Sequence, residues 1–135
     1  MDEVDSNFKG ERYSHTAYAH KFDAIHVPGV FKPGLGCDDV IHLGGNSGYQ
    51  AINLAYLMGA KEINLIGFDM QRTNNMSHWH GDHPRQCINQ SPYHAWLKNF
   101  DQLSKDLNDL NIDVTNYTRV TALKCFKKGN FICAS

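Results

Sequence analysis

The stretch "GGNSGYQAINLAYLMGAKEINLIGFD", Gly44 to Asp69, changes character twice, and those changes decide the fold. It opens with the loop formers Gly44, Gly45, Asn46 and Ser47. Then Ala51, Ile52, Leu54, Ala55, Leu57 and Met58 follow helical spacing, and Gly59 is a stop residue. The spacing predicts a helix from Gly48 to Met58. Glu62 to Gly67 reads as a continuous apolar run between Lys61 and Asp69, the pattern of a strand covered on both faces of a parallel sheet. A helix feeding such a strand implies a crossover unit of an α/β domain.

Working outward, residues 70–92 are polar, contain glycine and two prolines, and read as a long loop leaving the strand's carboxyl end. Open α/β sheets hold their ligands at that end. From Tyr93 to Leu110, Trp96, Leu97, Phe100, Leu103, Leu107 and Leu110 trace one helical face opposite Lys98, Asp101, Lys105 and Asp109. Ile112 to Tyr117 is the next expected strand, which completes a right-handed βαβ unit. Upstream, Asp23 to Val27 and Val40 to Leu43 read as short strands around the breaker-rich loop "VFKPGLGCDD", and residues 1–22 as an irregular arm. The expected architecture is one α/β domain over residues 23–135 with a small, mainly parallel sheet. So few strands leave edges open, which predicts self-association into a homo-oligomer.

A chain of 135 residues with 41% hydrophobic positions can bury one core without staples. Its formal net charge of −1 gives no general attraction for nucleic acid or an anionic membrane, so an anionic ligand needs a local site. Cys37, Cys87, Cys125 and Cys133 form no C-x-x-C pair, and the polar N-terminus holds no apolar run. Both features favour a soluble protein in a reducing cytoplasm, without signal peptide or membrane span.

Two stretches carry candidate chemistry. In "GGNSGYQ", Gly44, Gly45 and Gly48 allow close backbone approach, while Asn46 or Ser47 can cap the helix and leave N–H groups aimed at an anion. Gly45, Asn46, Ser47, Gly48, Tyr49 and Gln50 are therefore candidate ligand contacts; the competing reading is an ordinary capped turn. The stretch matches neither a P-loop nor a G-x-G-x-x-G turn. In "SHWHGDHPRQ", Ser77 to Gln86, three histidines and an aspartate lie within six residues. The spacing His78-x-His80-x-Asp82-His83 is that of a dinuclear zinc hydrolase. The motif begins well past Asp69 rather than directly after a strand, and only His94 comes after it among histidines, so stoichiometric dinuclear zinc is not expected. The remaining readings are a polar loop, or catalysis through His83 or His80 with Asp82 orienting the ring.

The run "GGNSGYQAINLAYLMGAKEINLIGFDMQ", continued by "SHWHGDHP" and an amphipathic helix, resembles the C-terminal half of a phage- and bacteria-encoded Rossmann-like family. That family is related to motility accessory factors, 6-hydroxymethylpterin pyrophosphokinase-like proteins and bacterial sialyltransferases. The resemblance spans roughly residues 24–126 and implies a Rossmann-like three-layer sandwich. It implies that Asn46, Ser47 and Gly48 contact a nucleotide's phosphate or sugar, that Asp69 closes the pocket with Gln71 beside it, and that His83 is a general base for an acceptor hydroxyl. Arg85 and His80 would neutralise a departing phosphate. The first strand and glycine-rich turn usual in such proteins are lacking, which implies a partner-completed half or a trimmed remnant.

Three functions compete as expectations. The first is a CMP-sugar-like glycosyltransferase-like domain that needs no cofactor beyond its nucleotide-sugar ligand. The second is a noncatalytic, phage-type nucleotide-binding protein of the bacterial host cytoplasm. The third, least supported, is a metal-dependent hydrolase using His78, His80, Asp82 and His83.

Overall fold

The computed structural model describes residues 8–72 and 92–130. They form an α/β arrangement in which short strands pair in parallel and two helices share the core with the strands and the loops that follow them. Strand β1 (Tyr13–Ser14) precedes a 3-10 turn (Ala19–Phe22) and β2 (Ile25–His26); β3 (Gly29–Val30) and β4 (Ile41–His42) come next. Then come α1 (Ser47–Leu57), β5 (Glu62–Leu65), α2 (Tyr93–Asp109), β6 (Asp113–Asn116) and β7 (Lys127–Lys128). The hydrogen-bonded groups are β1–β2, β3–β4 and β5–β6–β7, and each named pairing is parallel. Glu62 lies opposite Asp113 and Leu65 opposite Asn116.

Both helices stop by the same device. Gly59, at φ +88°, lies just after α1; its N–H donates to the Tyr56 carbonyl at 2.9 Å, and the Ala60 N–H to the Ala55 carbonyl at 3.0 Å. Asn111, at φ +56°, repeats this after α2: its N–H donates to Asn108 at 3.0 Å and that of Ile112 to Leu107 at 3.0 Å. These are Schellman motifs, which satisfy the last helical carbonyls and turn the chain directly into the next strand. At the other end of α1, Asn46 is extended and its Oδ1 accepts the Tyr49 N–H at 3.2 Å.

One apolar cluster joins Tyr49 and Ile52 of α1, Ile63 and Leu65 of β5, Phe100, Leu103 and Leu107 of α2, and Val114 of β6. Phe100 is its hub. The rings of Tyr49, Phe68 and Phe126 meet it edge-on, with centroids 5.2, 6.3 and 6.2 Å away. Burying a phenylalanine side chain contributes about 1.5–3 kcal/mol, and such ring pairs add to that.

The expectation of a strand covered on both faces fails at β5. Ile63 and Leu65 are buried, whereas Glu62 and Asn64 are exposed and Ile66 is 66% exposed. The segment alternates, because both helices contribute to the cluster holding Ile63 and Leu65, and among the described residues the Glu62 and Asn64 side is open. A second difference lies in the stretch read as an irregular arm. Tyr13 and Ser14 pair with Ile25 and His26, so this part of the chain is tied into a sheet with β2.

Among the described residues, no helix is long and apolar enough to cross a membrane.

Candidate functional site

The α1 start and the loops at the ends of β5 and β6 hold the polar groups available to a ligand. At the α1 start the cap settles which residues are free. Asn46 spends its Oδ1 on the Tyr49 N–H, and its Nδ2 lies 4.0 Å from the sulfur of Met70. Ser47, the first helical residue, is exposed, and the N–H groups of a first turn have no intrahelical acceptor. Ser47 and Gln50 line a cleft of about 330 Å³. Its facing wall comes from Ser14 and His15 at the end of β1 and from Val27 after β2; Ile41, Ala51 and Leu54 make the lining partly apolar. Polar groups at a helix start, in a cleft with a partly apolar lining, suit an amphiphilic ligand with an anionic end.

The other candidate ligand contacts of this turn are placed differently. Tyr49 is fully buried: its hydroxyl donates to the Gly34 carbonyl at 2.9 Å, and desolvation pushes its pKa up to about 12. It is a core residue with no face toward a ligand. Gly48 faces the ring of Phe68, where a Cβ would lie 2.6 Å from the nearest ring carbon. This glycine permits close packing between α1 and the chain after β5. Gly45, at φ +77°, borders a separate cleft of about 370 Å³ beside Phe31, Pro92 and Trp96. Gly44, at φ +54°, is packed against the Tyr49 ring.

A second polar region lies at the carboxyl ends of β5 and β6, where a hydrogen-bonded network joins residues 66–72 to 117–123. The Phe68 N–H donates to Thr118 Oγ1 at 2.8 Å, and its carbonyl accepts from Thr121 Oγ1 at 2.6 Å and Asn116 Nδ2 at 3.3 Å. The Ala122 N–H donates to the Asp69 carbonyl at 2.8 Å. Asp69, half-buried, joins this junction through its carbonyl. Gln71 lines a cleft of about 430 Å³ that also takes in Arg119, Lys124 and Lys128. Lys128 Nζ donates to the Thr118 carbonyl and, at 3.2 Å, to that of Arg119.

No family model, curated protein or solved structure matches the chain. Site residues are therefore assigned by geometry alone. His78, His80, Asp82, His83 and Arg85 lie outside the described residues, so their expected roles in catalysis or zinc binding have no geometry to rest on. Among the described residues, no group of three or more His, Cys, Asp and Glu side chains could hold a metal ion.

The structure thus brings Ser47 and Gln50 into one cleft, places Gln71 in another and Gly45 in a third, and withdraws Tyr49 into the core. Sequence reading missed Ser14 and His15, which sit in a stretch without periodicity. It also missed Arg119, Lys124 and Lys128, although "LKCFKKG" concentrates three lysines within five residues.

Proposed function

We propose that this chain is a nucleotide-binding α/β domain of the Rossmann-like type, a three-layer sandwich, with the nucleotide phosphate at the start of α1. The observation that carries the reading is the cleft where Ser47 and Gln50 face Ser14 and His15. Its volume of about 330 Å³ falls within the range of small-ligand sites. The phosphate would accept from the free N–H groups of the first turn and from the Ser47 hydroxyl, with the helix dipole favouring its charge. The nucleoside would lie along Val27, Ala51 and Leu54.

A second reading, CMP-sugar-dependent transfer, draws support from the contact of Asn46 Nδ2 with the Met70 sulfur at 4.0 Å. This contact sets Met70, just past the carboxyl end of β5, beside the α1 cap. In that reading His83 removes the acceptor's proton while Asp82 orients the imidazole.

Calorimetric titration with CMP, GMP and AMP tests the binding function, with Ser47→Asp as the decisive variant. A carboxylate at the first helical position favours the helix yet repels a phosphate. The wild type should bind at least one of the three, and Ser47→Asp should bind it at least about tenfold more weakly with its melting temperature kept. Equal affinity in the two proteins discards the site. CMP-sialic acid turnover that survives His83→Ala discards the transfer mechanism alone.

A further inference from the structure

We propose that the cleft at the carboxyl ends of β6 and β7 is a separate anion site that takes a small molecule bearing two or more phosphate charges. Arg119, Lys124 and Lys128 line it together with Gln71 and Thr121, and no carboxylate is among its described lining residues. In a chain whose formal net charge is −1, three cations around one cleft are a local concentration rather than a property of the whole surface. Among the described residues, no carboxylate pairs with Arg119 or Lys124.

The frame around these charges is built before any ligand arrives. Thr121 Oγ1 accepts the Leu123 N–H at 3.0 Å while donating to Phe68, and Asn116 Oδ1 accepts the Thr118 N–H at 3.0 Å. The backbone that bears Arg119 and Lys124 is thereby held to β5 and β6. Lys128 uses two donors on the Thr118 and Arg119 carbonyls, and an ammonium has a third to offer. With this backbone already held, binding phosphate oxygens through charge-assisted hydrogen bonds requires ordering only the exposed side chains of Arg119 and Lys124. A concave space of about 430 Å³ fits a small molecule, whereas a polymer backbone is met by an extended basic stripe. Val120, 54% exposed, and Ala122 offer an apolar wall for the organic part of such a ligand.

This site does not depend on the nucleotide cleft at α1, and the two are tested separately. Inorganic pyrophosphate is titrated into the full chain, read by amide chemical shifts and calorimetry, with a single-stranded oligonucleotide as a parallel arm. Pyrophosphate should shift the amides of residues 118–124 and bind with one-to-one stoichiometry. Arg119→Gln and Lys124→Gln should each weaken it at least about fivefold and the double variant at least about thirtyfold, at an unchanged melting temperature. Ser47→Asp should leave it within about twofold. Undiminished affinity in the double variant, shifts confined to residues 47–50, or tighter binding of the oligonucleotide than of pyrophosphate would each overturn the proposal.

Discussion

The Thr121 hydroxyl donates to the Phe68 carbonyl at 2.6 Å across 53 residues of chain, and the same oxygen accepts the Leu123 N–H at 3.0 Å. One side chain therefore joins the loop after β5 to the loop after β6 and also shapes the latter. Thr121→Val keeps the volume but orphans the Leu123 N–H. It should cost about 2 kcal/mol in urea denaturation, whereas Thr121→Ser should cost less than half as much. A larger loss in Thr121→Ser than in Thr121→Val would show that the methyl group, rather than the hydroxyl, matters.

Asn53, fully buried, serves a comparable role upstream. Its Oδ1 accepts the Gly36 N–H at 2.8 Å and the His42 N–H at 3.1 Å, which ties α1 to the loop before β4 and to β4 itself. Asn53→Leu leaves both donors unpaired in the interior and should destabilise the fold by at least about 2 kcal/mol, measured by chemical denaturation. A neutral result would mean that water replaces the amide.

Gly48 and Phe68 should behave as a coupled pair. Gly48→Ala brings a methyl group within 2.6 Å of the Phe68 ring and should cost about 1–3 kcal/mol through overpacking. Phe68→Leu in the same chain should restore part of that loss, so the double-mutant cycle should give a non-zero coupling energy. Strict additivity would place the cost in the helix backbone instead.

Tyr49 gives the fold an alkaline limit. Desolvation raises its pKa from 10.0 to about 12, so the folded state holds this proton more tightly than the unfolded chain does. The resulting stability is complete below pH 10 and is lost as the pH rises through about 12. Two units correspond to about 3 kcal/mol at most. Stability measured against pH should fall more steeply above pH 10 in the wild type than in Tyr49→Phe, which starts lower by about 1 kcal/mol for the lost bond to Gly34. Parallel curves would refute the assignment.

The free thiols of Cys37 and Cys125 should separate by reactivity. Burial pushes the Cys125 thiol up to about 12, whereas Cys37 is exposed. In a Cys87→Ser, Cys133→Ser background at pH 8, a disulfide reagent should label Cys37 at once and Cys125 only on unfolding. Rapid labelling of two thiols in the folded protein would contradict the burial of Cys125.

Both helices and the strands β2, β4, β5 and β6 were legible in the sequence, whereas β1, β3 and β7, of two residues each, carry no period and were not. Helical spacing from Ala51 to Met58 and from Trp96 to Leu110 located α1 and α2 to within a residue or so at each end, because an amphipathic period is a local property of the chain. The stops at Gly59 and Asn111 belong to the same local physics, since a left-handed residue after a helix depends on the chain within a few residues. Which face of β5 is buried depends on where both helices pack, so it became visible in the folded chain; Glu62 and Asn64 already carried the alternation that the apolar reading passed over. The candidate site was legible only where one segment supplies it, at Ser47 and Gln50. The gathering of Ser14 and His15 opposite them, and of Gln71 with Arg119, Lys124 and Lys128, arises where strands distant in sequence end side by side, and no local period records that neighbourhood.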